Sequence, residues 1–158
     1  MALKRVVVTG LGALTPIGNN LDEFWTGLIE GKSGAAPITY FDTEKFKTKF
    51  ACELKDFDVS LHLDRKQQRK MDRFTQYGMV STEEAIQDSG LDLEKIDKLR
   101  VGVIWGSGIG GIETFQNQML DHASGDGTPR FNPFFIPKMI ADITPGYISM
   151  NYGFMGPN

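Results

Sequence analysis

The side chains able to carry covalent chemistry are few: one cysteine, Cys52, and two histidines, His62 and His122, in 158 residues. A cysteine beside a histidine pairs a thiol nucleophile with its base. Cys52, however, stands in Phe50-Ala51-Cys52-Glu53-Leu54, an apolar setting in which a free cysteine packs as a small hydrophobe and stays inert. A lone cysteine forms no internal disulfide, which points to a reducing, cytoplasmic compartment. No spacing of His, Cys and carboxylates suits a metal, so none is expected. Glu83 and Glu84 are neighbours on an expected helix, do not face each other, and are expected in solvent. No catalytic constellation is visible.

Two glycine motifs imitate phosphate sites. Gly106, Gly108 and Gly111 satisfy G-x-G-x-x-G between an expected strand and helix. A dinucleotide site also needs an acidic residue closing a second strand about 20 residues on. Here that stretch is a Pro/Phe loop carrying Asp121 and Asp126, so a tight strand-to-helix turn explains the glycines better. Gly31-Lys32-Ser33 resembles the end of a phosphate loop, but Gly27 stands one residue too close and the triplet follows a helix. Helix termination is its expected role.

The most informative stretch is basic. Lys66, Arg69, Lys70 and Arg73 stand at i, i+3, i+4 and i+7 of one expected helix, apart from an apolar stripe of Met71, Phe74, Gly78 and Ala85. From Asp64 to Arg73 there are five basic residues against two acidic ones, in a chain of net charge −3. Cations in the first turns oppose the helix dipole, so stability alone does not select them. The face is either solvated or meets an anionic partner, and a localised patch suits an acidic protein better than a nucleic acid.

The elements that position these residues read as α/β. Lys4 to Leu11 (KRVVVTGL) and Arg100 to Trp105 (RVGVIW) have the composition of buried strands, and Lys49 to Leu54 that of a short one. Asn20 to Glu23 opens a helix bearing Leu21, Phe24, Trp25, Leu28 and Ile29 on one face, stopped at Gly31. A longer helix runs from Asp64 to Ser89-Gly90, another from Ile112 to Leu120, and two short ones begin near Pro137 and Pro145. Between them Pro129 to Pro137 concentrates three phenylalanines, to be buried in the chain's own core, a ligand cavity or another subunit. Strands alternating with helices imply a largely parallel sheet. At 41% hydrophobic and 23% charged the chain is neither disordered nor fibrous, and no apolar run nears the ~20 residues of a membrane helix. It ends on Gly156-Pro157-Asn158 directly after an apolar segment, so a single, incomplete domain is expected.

Taken in order, RVVVTGLGALTPIGN (Arg5 to Asn19), RKQQRKMDRFTQYG (Arg65 to Gly78), GSGIGG (Gly106 to Gly111), NPFFIP (Asn132 to Pro137) and the terminal YGFMGPN resemble the β-ketoacyl-[acyl-carrier-protein] synthases, the condensing enzymes of fatty-acid synthesis, of the type II class. The resemblance spans essentially the whole chain. It implies a thiolase-like layered αβαβα fold, of which residues 1–158 are part of the N-terminal half. It implies a decarboxylating Claisen condensation of an acyl thioester with malonyl-acyl carrier protein, in a cytoplasmic homodimer without organic cofactor or metal.

In that family the nucleophilic cysteine follows the G-P-[SN] string, which here closes the chain, and the two histidines and the lysine lie farther on. The resemblance therefore implies no catalytic residue within 1–158, and Cys52, His62 and His122 do not match. It assigns Lys66, Arg69, Lys70 and Arg130 to docking of the acidic carrier protein, and Ile109, Phe135 and Ile136 to the acyl pocket, with Phe135 reaching across the dimer. The alternative is a noncatalytic fragment that at most binds an acidic protein partner.

Overall fold

The computed structural model describes residues 3–158. They form two compact units, one of residues 3–58 with 81–91, the other of 59–80 with 92–158.

In the first unit, α1 (Leu21–Ile29) starts where Asn20 accepts the Glu23 N–H at 2.9 Å. The Glu23 carboxylate reaches back to the Asn19 N–H at 2.8 Å, so the expected capping box forms with its return bond one residue early. Gly31 ends the helix at φ +65°, as its position after the apolar stripe predicts. Beyond it, β1 (Ala36–Pro37) pairs antiparallel with β2 (Phe50–Ala51), which reduces the strand expected at 49–54 to two residues. So small a sheet has no layer to cover it, and Cys52 beside it is exposed rather than part of a core.

The strand expected at 4–11 does not form. Val6 is 90% exposed, and the described residues give this segment no sheet neighbour. β-branched side chains are buried in a parallel sheet only when strands and covering helices flank them. Backbone N–H groups at its end and beyond it turn instead to carboxylates of α3 (Arg73–Asp88), whose residues 81–88 belong to this unit. Asp88 accepts from Leu11 at 2.8 Å, while Glu84 accepts from Ala13 at 2.7 Å and from Leu21 at 2.6 Å. Glu84 is half-buried and holds two segments at once, which corrects its reading as a solvated charge.

The second unit holds all the buried large apolar side chains of the described residues: Leu63, Met71, Met79, Val80, Ile148 and Phe154. The helix expected to run unbroken from Asp64 is two helices, α2 (Arg65–Lys70) and α3, separated at Met71, whose backbone is extended (φ −112°, ψ 142°). Asp64 caps α2 in a full box with Gln67: the Gln67 N–H reaches Asp64 Oδ1 at 2.7 Å, and the Asp64 N–H reaches Gln67 Oε1 at 2.9 Å. Carbonyls left over at the break are met by side chains, since Gln76 Nε2 donates to Gln68 and Met71 and the Tyr147 hydroxyl to Lys70. Burial of Met71 accompanies the break.

Three helices complete this unit: α4 (Ile112–Ser124), α5 (Phe135–Met139) and α6 (Ile143–Tyr152). Pro137 and Pro145 fall in the first turns of α5 and α6, which begin two residues earlier than the prolines suggest. α3 and α6 meet through fully buried Thr75 and Thr144, whose hydroxyls lie 3.2 Å apart. A Cβ on Gly78 would come within 2.5 Å of Thr144 Cγ2, so only glycine admits this approach. The strand expected at 100–105 is also absent, with Ile104 97% exposed. Its backbone is tied instead to the end of the described chain, Val103 donating to Pro157 at 2.8 Å and Gly156 to Val101 at 2.9 Å.

Replacing Glu84 by alanine orphans two N–H groups, and bonds to a charged acceptor contribute about 1.5–3 kcal/mol each. Glu84→Ala should lower the urea midpoint by an amount equivalent to about 2 kcal/mol or more, with Glu84→Gln intermediate. A midpoint equal to that of Glu83→Ala would show that the clamp contributes nothing.

Candidate functional site

The break at Met71 decides which cations share a surface. Lys66, Arg69 and Lys70 stay on α2, while Arg73 begins α3 and pairs with Glu113 at 3.7 Å. The single four-cation face expected from the sequence is therefore three residues on a helix of six. Shortening also revises the dipole argument. Arg69 and Lys70 lie in the last turn, where the carbonyl end of the dipole favours cations, and only Arg65 and Lys66 oppose it.

Arg65, Lys66, Arg69 and Lys70 border an open groove of about 450 Å³ whose remaining wall is the Phe134 ring. The Lys70 ammonium lies 5.7 Å from the centre of that ring, a cation–π contact that restrains an otherwise mobile side chain. Phe134 is itself held, because its N–H donates to Asn132 Oδ1 at 2.8 Å and the Asn132 N–H donates to Gln118 Oε1 on α4 at 2.7 Å. The sequence marks Phe134 as one ring of an aromatic loop without giving it this position; the available signal is Asn132 two residues before Phe134, the spacing of an Asx turn.

Arg130 does not join the groove. Its Nη2 donates to Asp126 Oδ2 at 3.1 Å on the preceding loop. The Asp126 carboxyl is held below its ordinary value first by the Thr128 N–H bonded to it and further by Arg130.

Of the acyl-pocket candidates, Phe135 is half-buried within a stack of rings, 5.7 Å from Phe131 and 6.3 Å from Phe115, so part of the aromatic loop packs on its own unit while Phe131 and Phe115 stay exposed. Ile136 on the next position of α5 is 55% exposed, and Ile109 in the glycine loop 71%. Backbone joins the two pieces. The Gly111 N–H donates to Met139 at the end of α5 at 3.0 Å, and Gly110 turns at φ +80°. A Cβ on Gly111 would lie 2.0 Å from the Lys138 carbonyl, whereas Gly106 and Gly108 face open space. The loop is thus a seat for α5, which accounts for its last two glycines without a nucleotide.

Cys52 belongs to the first unit and both histidines to the second, His122 resting 5.3 Å from the Phe131 ring. Among the described residues no three His, Cys, Asp or Glu side chains are grouped to hold a metal ion, and no helix is long and apolar enough to cross a membrane. Burial pushes the Tyr147 phenol above its ordinary value of 10.0.

Two outcomes follow from these contacts. Gly111→Ala should cost about 1–3 kcal/mol through displacement of α5, while Gly106→Ala and Gly108→Ala should stay within about 0.5 kcal/mol in denaturant melts; equal costs at all three would contradict the seat. The raised phenol means that the unfolded chain loses the Tyr147 proton first. Its stabilisation is whole below pH 10 and declines as pH rises through the folded value, a decline that Tyr147→Phe should reduce in melts at alkaline pH.

The sequence matches the family described as "Beta-ketoacyl synthase, N-terminal domain" over residues 3–158. It is 45% identical over 158 residues to a 3-oxoacyl-[acyl-carrier-protein] synthase 2 of Staphylococcus aureus (strain COL), covering 98% of this chain and 37% of that protein. The synthase 2 of Synechocystis sp. (strain ATCC 27184 / PCC 6803 / Kazusa) is 44% identical with the same coverage. The chain thus spans 37% of the length of these curated relatives. Among solved structures, the ishigamide ketosynthase/chain length factor superposes with a TM-score of 0.88 at 28% identity, over 99% of this chain and 39% of that one. A type II polyketide ketosynthase solved with its acyl-carrier protein, AntDE:AntF, gives 0.79 at 29% identity, over 97% and 40%. The fold is accordingly the thiolase-like α/β fold of ketosynthases, in part, and the chain belongs to the β-ketoacyl synthase family through its N-terminal domain.

Proposed function

We propose that the chain is the carrier-docking and acyl-pocket portion of a β-ketoacyl-[acyl-carrier-protein] synthase that elongates fatty acids. In the reaction, an acyl group passes from carrier protein to a cysteine thiol, which releases the carrier thiol. Malonyl-carrier protein then loses CO₂, and the resulting carbanion attacks the acyl thioester carbonyl and expels the cysteine thiolate, leaving a 3-oxoacyl carrier protein. The reading assigns none of the reacting groups to residues 1–158: Cys52, exposed beside a two-residue strand, does not match the family's nucleophile motif, and His62 and His122 do not match its histidines.

The observation that carries the proposal is the cation groove on α2, in a chain of this family. Lys66, Arg69 and Lys70 offer three ammonium or guanidinium groups on one turn and a half, with Lys70 anchored over Phe134. An acidic carrier protein is the partner such a surface fits, and a related ketosynthase has been solved with its acyl-carrier protein. Arg130 would add a fourth cation from the loop before α5. Ile109, Phe135 and Ile136 are assigned to the acyl chain: one glycine-loop residue and two α5 residues, coupled by the Gly111 to Met139 bond. The exposure of Ile136 fits contact with a second subunit in a cytoplasmic homodimer.

Reversing Lys66, Arg69 and Lys70 to Glu should weaken acyl carrier protein binding about tenfold or more at 0.01 M salt, with the difference shrinking toward 1 M as the Debye length falls from about 30 to 3 Å. Unchanged affinity at low salt would defeat the docking assignment. Residues 1–158 alone should show no condensation, and turnover that survives Cys52→Ala would place the chemistry elsewhere in this chain.

A further inference from the structure

The loop between α4 and α5 carries an acidic group at a point where the docking surface should be positive. Asp126 stands between Gly125 and Gly127, the latter at φ +80°, so the chain turns sharply around it. Its two oxygens have separate tasks. Oδ1 accepts the Thr128 N–H at 2.9 Å, closing a local turn, and Oδ2 accepts from Arg130 Nη2 at 3.1 Å. The turn therefore aims the second oxygen at the guanidinium, and less side-chain entropy is lost in forming the pair than for two free side chains. Both partners stand in solvent, with side chains 60% and 74% exposed, so the pair is accessible to an incoming charge. The α2 cations differ: no ion pair engages Lys66, Arg69 or Lys70 among the described residues, although Lys70 rests on Phe134.

We infer that Asp126 is a built-in competitor for Arg130, an internal carboxylate that an acidic carrier protein must displace before Arg130 can engage it. The inference rests on the docking reading of Arg130 and adds a device that lowers affinity. Docking on α2 meets ready cations, whereas docking on the loop exchanges one carboxylate for another. The net gain at Arg130 is then the difference between two similar ion pairs, so the loop contributes register and the α2 groove contributes affinity. A partner that must leave after each delivery benefits from such a balanced contact, because affinity differences between related complexes reside mainly in the rate of release.

The test is Asp126→Asn in the intact protein. Asparagine keeps an oxygen for the Thr128 N–H and removes the charge, so the turn is preserved. Exposed ion pairs contribute about 0.2–1 kcal/mol, so binding to acyl carrier protein should tighten by about 1.5- to 5-fold, chiefly through slower dissociation. In an Arg130→Gln background the same change should have less effect, by that factor. Unchanged affinity for Asp126→Asn would overturn the inference, as would an equal gain with and without Arg130, since that marks a general charge effect. The α2 charge reversal measured beside it separates the two claims. If the reversal weakens binding and Asp126→Asn does nothing, only the competitor falls; if the reversal also does nothing, the docking reading falls and takes the competitor with it.

Discussion

A backbone N–H without a sheet partner turns to water or to another acceptor, and sheet acceptors are missing among the described residues for the two segments richest in β-branched residues. Neither 4–11 nor 100–105 has a sheet neighbour among the described residues. What replaces the sheet differs between the units. In the first, Glu84 and Asp88, one turn apart on α3, collect the N–H groups of Leu11, Ala13 and Leu21. In the second, 101–103 exchange hydrogen bonds with 156–157. The first unit buries no large side chain fully, so its order depends on charged clamps; the second has a small apolar core and depends on packing.

That difference matters for the α2 groove, proposed above as a docking surface, which lies wholly in the second unit. Burial of Met71 stops α2 after six residues, and side chains of Gln76 and Tyr147 satisfy carbonyls that a longer helix would have used internally. The interruption separates Arg73 from the other cations and delivers Lys70 to the face of Phe134. Packing in the core thus sets the spacing of charges at the surface. An uninterrupted helix would have given a longer basic stripe that included Arg73.

The features legible in the sequence are those decided within a few residues. Asn20, Asp64 with Gln67, and Gly31 mark helix ends correctly because caps and turns are local chemistry, and Pro137 and Pro145 mark first turns although α5 and α6 begin two residues before them. Hydrophobic patterning misled wherever burial needs a distant partner. RVVVTGL and RVGVIW read as strands because their composition belongs in a sheet, yet composition does not supply the neighbours. Cys52 read as buried for the same reason and is exposed. Glu84 read as solvated because nothing near it in sequence reveals that residues 13 and 21 will approach, and the pairing of Arg130 with Asp126 was not foreseen because its counterion is four residues away in an irregular loop. The basic cluster of Lys66, Arg69, Lys70 and Arg73 was legible by type and spacing, while its division across a helix break was not.

The energetics of such a surface bear on what kind of partner it serves. Every charge on it is solvated in part, and exposed ion pairs contribute less than about 1 kcal/mol each. Three or four of them cannot hold a partner for long, but complementary potentials raise the encounter rate and exclude partners of the wrong sign. The chain as a whole carries −3, so the basic patch is a local reversal in a mildly repulsive field rather than part of a general attraction to anions. Under the proposed docking, a carrier that delivers a thioester and departs needs fast arrival, correct register and fast release, and weak pairs arranged on α2 would supply all three. A buried ion pair or an apolar interface of dimer size would slow the departure, and the α2 groove presents neither.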